Sequence, residues 1–290
     1  MGLIFVHGRD QQGKDPLILQ AEWEITLRRG LESAGLRLPD GTTVTFPFYG
    51  DELDRLTKQL DMPLLEDVLT KGAFTDTREV SFRGELLAEV ALSAGITDEE
   101  IQRHCVGNVK EKGPLNWEWV HAILRALDQT PLGELSIDRF TRDVYVYLTH
   151  RVVRQAIDSI VAASIPRAPS VVVGHSLGTI VAYDVLTAVG NEVSVNKFVT
   201  LGSPLGLNAI RRQLAPPPLS MPLGVRTWFN AFDSRDVVAL RPLDSSSFPI
   251  SPLITNKSDV NNHTRNRHGI TGYLDDPEVA RSIYQGLTEG

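Results

Sequence analysis

A single cysteine, Cys105, in 290 residues leaves no partner for an intramolecular disulfide, so the fold has to be held by its core alone. Hydrophobic residues make up 42% of the chain, ordinary globular material for one large domain or a domain carrying an insertion. No apolar run approaches the roughly 20 residues that cross a bilayer, which excludes a helical integral membrane protein. No charged-then-apolar leader precedes the first apolar segment, and Val6 stands where the myristoylation pattern needs Ser or Thr. The expected location is therefore the cytoplasm. Positive charge is in short supply as well: 29 Lys and Arg against 36 Asp and Glu give a formal net charge of -7, the opposite of a nucleic-acid footprint. The short basic pair Arg211-Arg212 reads as a solvated helix face, and no internal repeat is present.

What the chain does have is alternation. Gly2 to Val6 reads as a short buried strand, and Asp15-Pro16 opens a helix with Trp23, Leu27 and Leu31 at helical spacing. Thr43 to Phe48 alternates like a second strand, which Pro47 confines to a short stretch or a sheet edge. From about Leu60 to about Leu135 the pattern turns helical without strands, as in Gly84 to Leu92 and Thr97 to His104. Thr97 and Glu100 form a capping box there, with Ile96 and Ile101 spaced as a hydrophobic staple. Pro114, Trp117 and Trp119 lie in the later part of this block, and the tryptophans read as core of the block rather than substrate contacts. One long amphipathic helix is expected over Phe140, Val144, Leu148, Ile157, Ile160 and Val161, ending before Pro166.

Ser170 to Val173 is then a β-branched strand, and Ile180, Val181, Val185 and Val189 mark the helix after it. Asn196 to Leu201 and Arg226 to Phe232 are further strands, the second preceded by Pro216-Pro217-Pro218, and a last helix starts at Asp276-Pro277. Strands alternating with helices at both ends of the chain imply a mostly parallel sheet flanked by helices. A helical block interrupting that order is an inserted cap. The expected division is 1–59 and 136–290 for the core and 60–135 for the cap.

Between the Ser170 strand and its helix stands Gly174-His175-Ser176-Leu177-Gly178. In a sharp strand-to-helix turn the residue at the apex is pushed outward, and side chains on either side would collide with neighbouring backbone, so glycines flank it. Ser176 is the candidate nucleophile. A serine hydroxyl needs a histidine to take its proton and a carboxylate to hold that histidine's tautomer. In this scaffold the order along the chain is serine, acid, histidine.

The strand Arg226 to Phe232 empties into Asp233-Ser234-Arg235-Asp236-Val237-Val238, on the rim where the elbow lies. Asp236 is the leading acid because Val237-Val238 would pack the following segment down and turn the carboxylate inward; Asp233, which looks like the turn residue, stays the alternative. Two histidines follow. His268, in a loop ahead of the last helix, is the candidate base, while His263 sits among Asn261, Asn262, Thr264 and Asn266 and suits the surface. His175, inside the elbow, is expected to pack beside the nucleophile. For the oxyanion, the backbone N–H of Leu177 and that of Arg9, after the strand ending His7-Gly8, are the expected donors.

Taken together, His7-Gly8, the elbow, Thr200-Leu201-Gly202-Ser203-Pro204, Asp236-Val237 and His268 resemble the α/β-hydrolase superfamily, in particular its serine esterase and lipase branches; the Gly-Ser-Pro and Asp-x-Val segments look like those of fungal triacylglycerol lipases. The resemblance implies a Ser176-His268-Asp236 triad that hydrolyses acyl esters, lipid esters included, through an acyl-enzyme, with no metal and no cofactor. The partner it implies is a small-molecule ester, with thioesters, amides and lactones open to the same machinery. The chain departs from it in starting at the strand before His7-Gly8 and in a helical insert that matches no cap of the family. Leu64, Leu65, Val68 and Leu69 could face lipid or fill a cap core.

Two rivals belong to other classes. Gly8 to Lys14 has Walker A spacing, but Asp15 stands where Ser or Thr should bind Mg²⁺, and Pro16 removes an N–H that could meet phosphate. A hydrolase fold kept only as a binding module is the other, and the full set of serine, acid and histidine in order speaks against it.

Overall fold

The computed structural model describes residues 1–62, 64, 77–105, 113, 116–128, 137–214, 218–239 and 241–289. In chain order the elements are β1 (Gly2–Val6), α1 (Pro16–Ser33), β2 (Thr43–Thr45), α2 (Gly50–Gln59), α3 (Thr77–Ser93), α4 (Asp98–Arg103), α5 (Trp117–Asp128), α6 (Ile137–Thr149), α7 (Arg151–Ala162) and β3 (Ser170–His175). There follow α8 (Leu177–Val189), β4 (Val195–Leu201), α9 (Asn208–Arg211), β5 (Val225–Ala231), β6 (Thr255–Lys257), α10 (Thr271–Leu274) and α11 (Pro277–Thr288). Six strands form one sheet in the order β2-β1-β3-β4-β5-β6, and every pairing is parallel. All strand ends that carry loops toward the elbow therefore open on one edge of the sheet.

Side chains alternate across a strand, so each strand feeds two cores. Leu3 and Phe5 of β1, Val171 and Val173 of β3 and Phe229 of β5 face a cluster with Trp23, Leu27 and Leu31 of α1 and Val279 and Ile283 of α11. Ile4, Val6, Val172 and Phe198 face the opposite cluster, with Leu53 of α2, Val153 and Ile157 of α7 and Ile180 of α8. Burying each such side chain contributes about 1.5–3 kcal/mol, which is how a fold without disulfides is held. Asp15 starts α1 by accepting from the Leu17 and Ile18 amides, and Asp276 starts α11 by accepting from Glu278 and Val279.

Helices α3, α4 and α5 come from the expected insert. Leu86, Val90, Ile101, Trp119, Val120 and Leu127 join the same apolar cluster as Ile4 and Ile180, so these helices share the core of one sheet face. The capping box at Thr97 and Glu100 is present. Trp119 is buried in that cluster, while Pro114, Leu65, Val68, Leu69, Pro216 and Pro217 lie outside the described residues, as does the side chain of Trp117. Leu64 is described and half-buried.

The expected long helix from Phe140 to Val161 is two helices. His150 is extended (φ -98°, ψ 98°) between α6 and α7, at a place with neither glycine nor proline to announce it. The break lets Tyr147 from α6 and Arg154 from α7 converge on Asp184 of α8, at 3.2 Å and 2.6 Å. A tertiary contact thus overrides a continuous apolar stripe. Three further elements escape the sequence pattern: α2, the one-turn helix α10, and the three-residue edge strand β6, which carries Thr-Asn-Lys and no apolar run. Arg211 is not merely solvated, since its guanidinium donates to the carbonyls of Ser246 and Ser247.

Candidate active site

Ser176 stands between β3 and α8 with φ 54° and ψ -128°, a left-handed conformation that a non-glycine residue adopts only under constraint. The constraint is visible in its neighbours. A Cβ at Gly178 would lie 2.2 Å from the Val6 carbonyl oxygen and 2.4 Å from that of His7, and one at Gly174 would lie 2.9 Å from the Gly178 carbonyl oxygen. Both glycines are thus demanded by backbone packed against backbone, which presses the start of α8 onto the end of β1. Ser176 N–H donates to the Leu201 carbonyl at 3.1 Å, tying the elbow to β4. Thr179 Oγ1 donates to the Ser176 carbonyl at 2.7 Å and lies 2.8 Å from Ser203 Oγ of the Gly202-Ser203-Pro204 turn.

Ser176 Oγ lies 2.8 Å from His268 Nε2, and His268 Nδ1 lies 2.7 Å from Asp236 Oδ2. The three side chains come from the β3–α8 elbow, the loop after β5 and the loop before α10, and all are buried. Asp236 rather than Asp233 meets the imidazole. Its Oδ1 accepts from the Val238 amide at 3.1 Å, and Val237 and Val238 are both buried, so the segment after the acid does pack down. Asp233 instead ties loops together, accepting from the Arg235 amide at 2.8 Å and from the Asn262 amide at 2.9 Å. His263 is exposed, 3.6 Å from Asp275, away from Ser176.

His175 is buried against His268, and its Nε2 donates to the His268 carbonyl at 2.7 Å. Burial, with the nearby His268 charge next in weight, pushes the His175 imidazole down to about 3, so it is a neutral brace on the His268 backbone. His7 does a similar job on the loop after β1. Its Nδ1 donates to the Gly8 carbonyl at 2.6 Å, its Nε2 accepts from the Tyr49 amide at 3.1 Å, and burial pushes it down to about 4. Tyr49 Oη donates in turn to the His7 carbonyl.

A Cβ at Gly8 would come within 2.9 Å of Ser176 Cβ, so this loop lies directly over Ser176. Arg9 turns its side chain away, with Nε 3.0 Å from Asp143 Oδ2 of α6 and the guanidinium also paired to Asp10. Among the described residues, no group accepts from the Arg9 or the Leu177 amide. Tyr49 and Asp143 went unmarked in the sequence because their partners lie 42 and 134 residues away and no local pattern announces them.

Ser176 and His268 open into a cleft of about 270 Å³ whose walls include Gly8, Asp10, Lys14, Trp23 and Asn266. Lys14 belongs to the Walker-like stretch, yet the helix start behind it is already filled by the Asp15 carboxylate, where a phosphate would have to sit. Among the described residues no cluster of three or more His, Cys, Asp or Glu is placed to hold a metal ion, and no helix is long and apolar enough to cross a membrane.

A family model described as the alpha/beta hydrolase family matches residues 104–275. No curated protein and no solved structure matches the chain. The matched stretch takes in more than half of the chain, from just past the end of α4 through the elbow and β4 and β5 to the end of α10. An all-parallel sheet with a strained serine at its central strand end accords with that match, and the chain belongs to the alpha/beta hydrolase family.

Proposed function

We propose that the protein is a serine hydrolase that cleaves carboxylic esters through an acyl-enzyme. The observation that carries this reading is the unbroken path Ser176 Oγ, His268 Nε2, His268 Nδ1, Asp236 Oδ2, with links of 2.8 and 2.7 Å. Ser176 Oγ attacks the acyl carbonyl while His268 Nε2 takes its proton, and Asp236 holds Nδ1–H so that the imidazolium formed is stabilised. Negative charge developing on the carbonyl oxygen is met by the Leu177 amide, at the N-terminus of α8, and by the Arg9 amide. His268 then gives its proton to the leaving alkoxide. A water deprotonated by the same imidazole attacks the acyl-enzyme, and Ser176 regains its proton as the acid leaves.

The cleft bears on substrate size. At about 270 Å³ it stands at the lower end of ligand pockets, and Asp10, Lys14 and Asn266 line it, which suits a short or polar acyl group better than a long chain. Residues 60–135 serve in this reading as a cap on the core. Support comes from Glu89 of α3, whose carboxylate accepts from the Asn208 and Ala209 amides at 2.8 Å and pairs with Arg241 at 3.2 Å, anchoring the insert to the loops after β4 and β5.

The test is hydrolysis of p-nitrophenyl esters of increasing chain length by the parent and by Ser176→Ala, with fluorophosphonate labelling as a second readout. Turnover should fall on the order of 10³- to 10⁶-fold in Ser176→Ala, labelling should vanish, and the parent should prefer short chains. Undiminished ester cleavage in the variant would refute the reading.

A further inference from the structure

Asp236 Oδ2 has a second neighbour besides the imidazole. Tyr273 Oη lies 2.5 Å from it, and the Asp233 amide donates to Tyr273 Oη at 3.3 Å. Because that amide fills the acceptor side of the phenol, its own hydrogen is directed at the carboxylate. Burial, and after it the Asp236 charge, holds the phenol well above its ordinary range, so it remains a donor at every working pH. The ring is fully enclosed: a Cβ at Gly202 would lie 3.1 Å from Tyr273 Cε2, and the His175 ring centroid is 6.1 Å away. Tyr273 and His268 belong to one stretch, in which the Tyr273 amide donates to Ile270 at 3.0 Å and the His268 amide to Asn266 Oδ1 at 3.1 Å.

We propose that Tyr273 is a positioning residue of the hydrolase, whose hydroxyl fixes Asp236 Oδ2 where it meets His268 Nδ1 and shares the charge of that oxygen. The inference rests on the triad reading given above. The phenol touches no reacting atom and keeps its proton throughout; it acts through the acid. Two donors on one oxygen each receive less of its charge than one donor would, so the Nδ1–H bond is weaker than in an unshared pair. That limits how strongly the imidazolium is held and eases return of its proton to the leaving group. Geometry supplies the other part of the role: with Val238 N–H on Oδ1, the carboxylate cannot rotate.

The experiment is Tyr273→Phe, assayed on a short p-nitrophenyl ester across pH. Loss of the hydroxyl should lower plateau kcat about tenfold with KM changed less than about twofold, the size of one lost hydrogen bond expressed at the reacting centre. The acid limb of the kcat/KM profile should move to higher pH by roughly half to one pH unit, because an unshared carboxylate stabilises the imidazolium more. A packing role alone would lower thermal stability and leave that limb in place, and an unmoved limb in a folded variant overturns the inference. Should Tyr273→Phe fail to fold, Tyr273→3-fluorotyrosine keeps the shape and strengthens the donor. The limb should then move to lower pH, and no movement is again fatal.

Proton NMR of Ser176→Ala with and without Tyr273→Phe needs no turnover. The His268 Nδ1 proton should shift downfield in the double variant, and an unchanged resonance counts against the role. If Ser176→Ala still cleaves esters, the catalytic reading fails while the NMR result decides the Tyr273–Asp236–His268 coupling separately.

Discussion

The sheet edge around Ser176 and helices α3, α4 and α5, the insert in the reading proposed above, are held by different physics. At the edge, positions are fixed one by one: Gly178 by a carbonyl 2.2 Å from where a Cβ would be, Asp236 by three donors, His7 by bonds on both ring nitrogens. In the insert, Leu86, Val90, Ile101 and Val120 are interchangeable in kind, each one a buried apolar side chain in a shared cluster. The chief exception is Arg83, fully buried, whose guanidinium pairs with Glu79 on its own helix and with Asp138 on α6. An edge built on directed bonds should lose function when altered, and an insert built on burial should lose stability.

Asp236→Asn gives that comparison its largest test. The side chain is isosteric, so folding should be little changed, but an amide that presents its NH₂ to Nδ1 selects the wrong imidazole tautomer. Turnover should fall about 10⁴-fold while the melting temperature stays within a few degrees, read by ester hydrolysis and calorimetry. Full activity in this variant would show that the edge tolerates what directed bonding forbids.

Arg83→Met probes the other region. The aliphatic part of the volume is kept, but Glu79 and Asp138 lose the guanidinium between them. Breaking a buried ion pair by removing one partner costs about 3–5 kcal/mol. Urea unfolding should show that loss, while kcat of the folded fraction is unchanged, since Arg83, Glu79 and Asp138 do not line the cleft at Ser176. A drop in kcat without a drop in stability would mean that the insert and the edge are coupled.

The same contrast explains what could be read from the letters. The elbow was legible because its constraint is local: a strand, a serine and two glycines within five residues imply their own geometry. That Asp236 rather than Asp233 meets His268 was legible through Val237 and Val238, whose burial turns the carboxylate inward. Tyr49, Asp143 and Tyr273 were not, because each acts through a partner 37 to 134 residues away in sequence and is an ordinary buried or paired residue when viewed locally. The break at His150 was hidden for a related reason, since Tyr147 and Arg154 are drawn to Asp184 on a later helix. In the insert, helical periodicity and the Thr97 capping box fix where helices form, while their docking on the sheet depends on apolar surfaces that carry no address.

Acid should weaken the edge through His7. Burial pushes its imidazole down to about 4 in the folded protein, whereas an unfolded histidine titrates near 6.5. Between those values the unfolded chain binds a proton that the folded one refuses, so stability is complete above pH 6.5 and falls as pH drops toward 4, where the loss levels off. From pH 6.5 to pH 5 this one group removes about 2 kcal/mol. His7→Asn should be less stable at neutral pH, because the bonds to Tyr49 and Gly8 are disturbed, yet its unfolding free energy should depend less on pH. The slope in that window should be shallower by about 1 kcal/mol per pH unit, measured by urea unfolding at several pH values. An equal slope in parent and variant would mean that His7 charges in the folded state. The loop over Ser176 would then be held by burial of its rings on Phe46 and Tyr49, and the edge would resemble the insert more than its hydrogen bonds suggest.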